Sequence, residues 1–196
     1  MARIPYLTQD DLSEADRDAL DALSDEDSEA EKKDEDDQVG VRNVFRVMAH
    51  NVDLLEGFRA YGSTLWHSSG LSPVERELVI LATAASVDSA YEWHQHVRIS
   101  QQEGVSIDQI NAVSGGKFDE LEPAHAALVE YTTRFVDGTV DDDVHERLAE
   151  HYDDDQILAI GTIAGTYLGL ARVLDALDVE IEKEETFVGW DVTPEE

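Results

Sequence analysis

Two glutamates and one histidine have the side-chain types and the spacing for acid/base chemistry. Glu92 and His96 are four residues apart, so they share one face of a helix, and Glu77 lies in a strongly apolar stretch. An imidazole held by a carboxylate forms a general acid/base pair, because the carboxylate fixes the imidazole tautomer. A carboxylate in an apolar stretch also needs a partner. We therefore expect Glu77, Glu92 and His96 to form one site.

Two consecutive predicted helices must position these side chains. The first begins at Ser72–Glu75, a capping box with proline at the first helical position, and it runs to about Ser86. The second follows a short break and ends at Gly104. A short connection makes neighbouring helices antiparallel. At 1.5 Å per residue, Glu77 and His96 each lie about 14 Å from the turn, so they should be level across the hairpin.

The same three residues leave two alternatives open. Two carboxylates and an imidazole can bind zinc, manganese or iron, but the spacing is neither Glu-x-x-His nor His-Glu-x-x-His. We predict no metal and no cofactor. A buried Glu–His hydrogen bond can also be purely structural. The chain has no cysteine, which excludes disulfides, zinc–thiolate sites and cysteine nucleophiles.

The rest of the chain predicts an all-α bundle, because no sustained apolar alternation indicates a strand. Residues 1–40 should hold a helix over 8–23 and a solvated acidic linker over 24–38. A helical domain should span 41–178, and a tail over 179–196 should dock through Phe187 and Trp190. Within the domain, other helices should begin near Val41, after Asn51, and at Ser106, Pro123, Asp141 and Asp153.

The charge balance is far from that of an ordinary small domain. The net charge is −31, with 45 acidic and 14 basic residues spread along the whole chain. Self-repulsion on this scale is screened at about 1 M salt, where the Debye length is roughly 3 Å, so we expect a halophilic, haloarchaeal, cytoplasmic protein. No basic patch suits nucleic acid or an anionic membrane. The start lacks a signal-peptide core, and the longest uncharged run, Gln156–Ala171, is short for a membrane span.

Three segments are specific in combination: Leu71–Ile80 (LSPVERELVI), Tyr91–His96 (YEWHQH) and Glu103–Ser106 (EGVS). Together they resemble the carboxymuconolactone decarboxylase family, which includes the alkylhydroperoxidase D-like proteins. Upstream, Arg42–Arg46 and Ala49–His50 look like the family's larger members. The resemblance covers roughly residues 41–177. It implies an alkylhydroperoxidase D-like helical bundle with a central antiparallel helix hairpin, assembled into trimers or hexamers.

The resemblance also bears on the reaction. In the peroxidase branch a Cys-x-x-Cys pair precedes the helix histidine, and counting back from His96 places Ser89 and Glu92 at those positions. Neither side chain can form a disulfide or a thiolate, so peroxidase activity is not expected. The resemblance also implies that Glu77 and His96 form a proton relay in this chain. The decarboxylase branch is cofactor-free and acts on a lactone that bears a carboxylate.

We therefore expect lyase-type acid/base chemistry on a small carboxylated metabolite, derived from a lactone or an aromatic compound. A decarboxylation needs an electron sink and a proton for the enolate carbon. His96, held by Glu77 or Glu92, would deliver the proton, and Tyr91 would steady the developing oxyanion. The alternative is a non-catalytic helical oligomer that binds a small molecule or a partner and keeps the family fold.

An anionic substrate also needs a cation in a protein this acidic. Arg46 is the preferred candidate, and His50 and Trp93 are candidate pocket residues, although a tryptophan here is also typical of a core. His94, two residues from His96, should face elsewhere and be exposed. The full set of candidate cations is Arg42, Arg46, Arg76 and Arg98.

Overall fold

The computed structural model describes residues 2–17 and 41–193. In these residues there are eight α-helices, two short 3-10 helices and no β-strand, which confirms the all-α class. The 3-10 helices are Gln9–Asp11 and Phe118–Glu120. The α-helices are α1 (Asn43–Met48), α2 (Val52–Ser68), α3 (Pro73–Ser86), α4 (Ala90–Gln102), α5 (Ile107–Ser114), α6 (Pro123–Asp137), α7 (Asp142–Ala149) and α8 (Asp154–Leu177).

The described residues divide into two compact units. The first comprises residues 2–17, 41–63 and 177–185, and the second comprises residues 64–176 and 186–193. One division falls within α2 and another at the last residue of α8. The sequence segments predicted above, with boundaries at residues 40 and 178, stay a prediction.

Hydrogen bonds tie the two ends of the chain together in the first unit. The Arg3 amide donates to the Leu177 carbonyl at 2.7 Å, and the Glu180 amide donates to the Tyr6 hydroxyl at 2.8 Å. The Asn43 amide donates to the Glu182 carboxylate at 2.8 Å. A small apolar cluster centred on Ala49 and Leu55 forms the core of this unit.

The helix predicted over residues 8–23 is absent from the part of that segment that the structure describes. Residues 9–11 form a single 3-10 turn, and residues 14–17 form a turn. The Asp11 carboxylate accepts hydrogen bonds from the Thr8 amide at 2.9 Å and from its hydroxyl at 2.8 Å, which closes the turn locally. Residues 18–23 and the acidic run over 24–38 lie outside the described residues.

The second unit is organised around the hairpin of α3 and α4. α3 begins with the predicted capping box, in which the Ser72 hydroxyl accepts from the Glu75 amide at 3.3 Å and the Glu75 carboxylate accepts from the Ser72 amide at 2.7 Å. The helix packs against α4, α5 and α6. Nine consecutive residues of α3 from 76 to 84 are buried, so this helix is the centre of the core. A second predicted capping box opens α5 at Ser106.

The C-terminal segment packs onto this unit, as predicted from Phe187 and Trp190. Both side chains contact the core cluster, and Trp190 lies 5.3 Å from the Trp93 ring. The Asn111 side chain makes two hydrogen bonds with the Val192 backbone, at 2.8 and 2.9 Å. The segment therefore closes one side of α4 with specific contacts.

By length and composition, α8 is the one helix of the described residues that passes the test for a membrane span. Its most apolar 18-residue window has a mean hydropathy of 1.7, and 39% of that window is buried. The helix is longer than the uncharged run Gln156–Ala171, because it continues through Arg172 and Asp175. This is weak evidence for a membrane, since a core helix passes the same test and Ile160 and Ile163 lie in the core.

Candidate active site

Glu77 and His96 meet across the α3–α4 hairpin. Glu77 Oε2 lies 2.9 Å from His96 Nδ1, and the relative exposures are 0% for Glu77 and 6% for His96. At this distance Nδ1–H donates to the carboxylate, which fixes the tautomer of the imidazole. The contact matches the prediction that the two residues are level across the hairpin.

Glu92 lies on the other side of the same imidazole. Its Oε2 is 3.8 Å from His96 Nε2, one helical turn away on α4. Burial raises the pKa of Glu92 from 4.5 to about 7, and the positive charge of a protonated His96 opposes this shift. Two carboxylates therefore bracket one imidazole, and one of them changes charge near neutral pH.

Local sequence explains why these polar groups are buried. Leu78, Ile80 and Leu81 on α3 are fully buried, so Glu77 is carried into the core with them. Its partner arrives on α4 because the connection between the helices is only three residues long. A buried carboxylate without a partner is costly, and His96 provides the partner for Oε2. Glu77 Oε1 is buried and has no hydrogen-bond partner among the described residues.

Two aromatic rings that sequence reasoning missed flank the imidazole. The Tyr167 ring on α8 meets the His96 ring edge to face, with centroids 5.0 Å apart and an interplanar angle of 88°. The Trp66 ring near the end of α2 is 6.5 Å from the His96 ring. The only sequence signal was an aromatic residue on each predicted helix, which does not reveal contact with a site on another helix.

Arg76 is the cation of this region. Its side chain is buried, and its guanidinium carbon lies 4.3 Å from the Trp66 ring centre, in a cation–π contact. Nη1 donates to the Trp66 carbonyl at 3.0 Å, while Nε is buried with no hydrogen-bond partner in the described chain. Its positive charge acts on Tyr167, whose pKa it lowers against the larger effects that raise it.

The other residues predicted on α4 are buried too. Tyr91 lies in the first turn of α4, five positions before His96, and so about 140° around the helix from it. Trp93 is fully buried, and its indole N–H donates to the Gly189 carbonyl at 2.8 Å. Their proposed contacts with a substrate stay predictions. His94 is 2% exposed and accepts from the Val188 amide at 3.3 Å, so the expectation that it is exposed was wrong.

Arg46 and His50 belong to the first unit, where both have local partners. The Arg46 guanidinium donates to the carbonyls of Leu7 at 3.0 Å and Tyr6 at 3.4 Å and to the Asn43 side chain at 3.2 Å. His50 Nε2 lies 2.9 Å from the Pro5 carbonyl. These contacts engage all three nitrogens of Arg46, and a role for either residue in substrate binding stays a prediction.

The side-chain geometry also bears on the metal alternative. In residues 2–17 and 41–193, no group of three or more His, Asp or Glu side chains has an arrangement that could hold a metal ion. Glu77 and Glu92 approach different nitrogens of His96 rather than converging on one point. The imidazole therefore lies between the two carboxylates.

Residues 53–135 match the model of the carboxymuconolactone decarboxylase family. The matched range includes α3 and α4 with Glu77, Glu92 and His96, and it ends before Tyr167. It thus supports the family that the sequence motifs suggest. No curated protein matches the chain at a significant level of similarity.

Solved structures of the same fold cover nearly the whole chain. One is an alkylhydroperoxidase AhpD core, an uncharacterized peroxidase-related protein from Ralstonia eutropha JMP134, with TM-score 0.77, 21% identity and 98% of each chain covered. Another is an uncharacterized peroxidase-related protein from Silicibacter sp. TM1040, with TM-score 0.77, 19% identity and 93% of each chain covered. A debrominase in complex with 2,3,4-tribromopyrrole has TM-score 0.72 and 16% identity, with 88% of this chain and 90% of that chain covered.

Together these comparisons show the fold. The chain has the helical fold of the alkylhydroperoxidase AhpD core, and its residues 53–135 are similar to the carboxymuconolactone decarboxylase family. Sequence identities of this size show the fold only. The reaction must therefore be inferred from the side chains of this chain. Those side chains include no cysteine, and a Glu77–His96–Glu92 cluster lies at the centre of the hairpin.

Proposed function

We propose that this protein is a cofactor-free lyase, similar to carboxymuconolactone decarboxylase, that acts on a small carboxylated metabolite derived from a lactone or an aromatic compound. The observation that carries the proposal is the buried contact of 2.9 Å between Glu77 and His96, with Glu92 at 3.8 Å on the opposite nitrogen. Such a cluster can store and deliver a proton without a thiol, a metal or an organic cofactor. Thiol peroxidase activity is not proposed, because the chain has no cysteine.

In the proposed reaction, the bond between the carboxylate carbon and the neighbouring carbon breaks and carbon dioxide leaves. The electron pair moves into a conjugated carbonyl group, which becomes an enolate. His96 Nε2 then gives a proton to the enolate carbon, and the carbonyl group is restored. Glu77 fixes the imidazole through Nδ1, and Glu92, whose pKa is about 7, returns a proton to Nε2 directly or through one water. Tyr91 is the oxyanion-stabilising residue that the sequence suggests.

The substrate carboxylate requires a positive charge close to the cluster. Arg46 was the preferred candidate from sequence, but its guanidinium nitrogens already donate to groups of its own unit. Arg76 contacts Trp66, which itself contacts His96, and Arg76 has no carboxylate partner among the described residues. We therefore include Arg76 in the proposal as the source of positive potential for an anionic substrate, with His50 and Trp93 retained as candidate pocket residues.

The predicted setting of this reaction is the cytoplasm of a halophile, in a homo-oligomer without nucleic acid or membrane partners. Two features support these parts of the proposal. The net charge of −31 needs salt to be screened, and Leu158 and Val173 on α8 are 71% and 49% exposed, so contact with another chain would bury apolar surface there. Light scattering in molar KCl tests the oligomer, and a mass of one chain would contradict it.

The decisive test is decarboxylation of carboxymuconolactone in molar KCl. His96→Asn and Glu77→Gln should each lower kcat by about 10²–10⁴, because each removes a general acid/base group or its partner. Matched controls are His145→Asn and Glu150→Gln, which make the same changes at exposed positions and should leave kcat unchanged. Circular dichroism in the same buffer checks that all four variants fold.

The alternative is a non-catalytic protein that binds a small molecule and keeps the fold. The near-complete burial of Glu77 and His96 is the feature that favours it, because a buried polar pair can also serve to specify core packing. No turnover by the wild type, together with saturable binding of a small carboxylate, would support this alternative. If the His96 and Glu77 variants retained turnover, this result would contradict the assignment of this pair as the acid/base groups of the reaction.

A further inference from the structure

Tyr167 contacts the candidate site from a helix that the hairpin motifs do not include. It lies on α8, 71 residues after His96, and its ring meets the imidazole edge to face at 5.0 Å. The side chain is partly exposed. Within the described residues its hydroxyl forms no hydrogen bond, so this phenol, like the Nε of Arg76, still has a donor to offer.

The surroundings keep this hydroxyl protonated. Burial raises the pKa of Tyr167 well above its usual value, and the carboxylates of Glu92 and Glu77 raise it further. A neutral phenol is a hydrogen-bond donor, and it does not compete with His96 as a proton source near neutral pH. The contact of the Tyr167 ring with the cluster itself is the edge-to-face packing on His96.

An indole also lies near the His96 ring, and a guanidinium stacks on that indole. Trp66 lies 6.5 Å from the imidazole centre, and Arg76 stacks on Trp66 at 4.3 Å. The positive charge of Arg76 also acts on Tyr167. A ligand at His96 would therefore lie among aromatic walls with a positive potential and one free phenolic donor. This combination suits a flat, conjugated anion better than a flexible aliphatic one.

We propose that the Tyr167 hydroxyl donates a hydrogen bond to an anionic oxygen of a planar, conjugated carboxylate bound at His96. The inference rests on the function proposed above, and in that reaction the oxygen is the one that becomes the enolate. When the C–C bond to the carboxylate breaks, its electron pair reaches this oxygen, and Tyr167 stabilises the charge without giving up its proton. The proton that completes the reaction goes from His96 Nε2 to carbon. This assigns to Tyr167 the oxyanion contact that the sequence suggested for Tyr91.

The first arm of the test measures binding without turnover. The probe is 4-hydroxy-3-nitrobenzoate, a flat carboxylate whose coloured phenolate oxygen mimics an enolate, titrated in molar KCl by absorbance. Tyr167→Phe should weaken binding about tenfold or more, because it removes one hydrogen bond to a charged oxygen. Tyr131→Phe is the matched control, since this partly buried tyrosine on α6 makes the same chemical change outside the ring contacts of His96. It should bind as the wild type does.

The second arm measures turnover of carboxymuconolactone. Tyr167→Phe should lower kcat by about 10²–10³, the usual effect of removing one oxyanion donor, with a smaller change in KM. Tyr131→Phe should keep the wild-type kcat. A ring with only a packing role would lower the melting temperature without this loss of kcat.

The two arms separate failure of this inference from failure of the proposed function. Equal probe binding by the wild type and Tyr167→Phe, or no binding by either, overturns the Tyr167 contact, whatever the turnover assay gives. Weaker probe binding by Tyr167→Phe, in a protein that does not turn over the lactone, upholds the contact and rejects the lyase. If Tyr167→Phe weakens probe binding and also lowers kcat, both the Tyr167 contact and the lyase reaction are upheld.

Discussion

At the residue scale, burial sets the chemistry of Glu92. This carboxylate is 4% exposed and lies beside an imidazole whose other nitrogen is held by Glu77. Its pKa of about 7 means that the cluster gains or loses one charge within the neutral pH range. A glutamate with an ordinary pKa would stay ionised there and could not exchange a proton with His96.

The raised pKa of Glu92 predicts how the free energy of unfolding depends on pH. The pKa of Glu92 is about 7 in the folded state and 4.5 in the absence of burial, so the folded state holds the proton more tightly. The corresponding stability is present in full below the lower pKa and is lost as pH rises through the higher one. For Glu92→Gln, which cannot ionise, we expect the free energy of unfolding to rise relative to wild type between about pH 4.5 and 8, by at most about 3 kcal/mol.

Urea unfolding of both proteins in molar KCl at a series of pH values measures this difference. Glu150→Gln is the control, because this exposed glutamate should show a difference that does not change with pH. A constant difference between wild type and Glu92→Gln across the series would refute the raised pKa.

A second residue-scale prediction separates Arg76 from Arg46. Arg76→Met removes the guanidinium charge near Trp66 but keeps an apolar chain of similar length, and it should raise KM for a carboxylated substrate about tenfold. The expected size is that of one charge–charge interaction in a partly screened site. Arg46→Met should leave KM unchanged, because the Arg46 donors bind backbone carbonyls and Asn43 in the first unit.

Steady-state kinetics on both variants, with unfolding curves as a check, decide between the two arginines. If KM rose in the Arg46 variant alone, Arg46 would be the substrate-binding cation, as the sequence suggested. Both variants can lose stability, since each arginine makes hydrogen bonds to backbone carbonyls, but only the cation near the substrate should change KM.

At the element scale, the turn between α3 and α4 decides whether Glu77 and His96 are level. The connection spans residues 87–89, and Asp88 has a φ of 54°, in the left-handed region that L residues other than Asn and Asp rarely adopt. The Asp88 side chain is exposed, so backbone conformation is its main structural contribution. A change in this turn would shift the register of the two helices and separate the pair.

Replacing Asp88 by glycine and by a β-branched residue should therefore change the free energy of unfolding in opposite directions. Asp88→Gly should stabilise the fold by up to about 1 kcal/mol by relieving the positive φ, and Asp88→Val should destabilise it by about 1–2 kcal/mol. Asp175→Gly is the control, because this exposed aspartate lies inside α8 and glycine there should cost about 1 kcal/mol. Urea unfolding gives all three values, and equal effects of glycine at both positions would contradict the role of the turn.

At the scale of the whole molecule, charge is the dominant feature. A net charge of −31 on 196 residues opposes the compact state, and the 14 basic residues are too few to balance it locally. Among the described residues, Arg147 forms an ion pair with Glu130 at 2.7 Å, and this exposed pair contributes little by itself. We therefore expect the stability of the fold to depend on bulk salt.

The melting temperature should rise steadily as KCl increases from 0.1 M to 2 M. The Debye length falls from about 10 Å to less than about 3 Å over this range, which removes most of the repulsion between surface carboxylates. Differential scanning calorimetry measures the effect, and sucrose in place of KCl is the control for general crowding and exclusion. A melting temperature that does not depend on KCl would disprove the halophilic interpretation.

The sequence by itself determined the features that are encoded within a few residues. The capping boxes at Ser72 and Ser106, the glycine after α4 and the apolar run of α3 set the ends and the buried face of each helix through local hydrogen bonds and periodicity. The level of Glu77 and His96 across the hairpin followed from the same information, since a short turn and a fixed rise per residue set their distances from the turn. Their contact also depends on the rotation of each helix about its axis, which the tertiary structure supplied. The absence of cysteine alone ruled out thiol chemistry.

Only the tertiary structure decided which distant side chains complete the site. Tyr167 and Trp66 contact His96 from helices that are 71 and 30 residues away in the chain, and neither has a local pattern that points to the imidazole. The expectation that His94 is exposed was wrong for the same reason, because the C-terminal segment covers it from 94 residues away in the chain. The backbone carbonyls that accept from Arg46 also lie some 40 residues away in sequence, and its role in substrate binding stays a prediction. Such contacts depend on how whole elements pack, and the physical chemistry of neighbouring residues does not fix that packing.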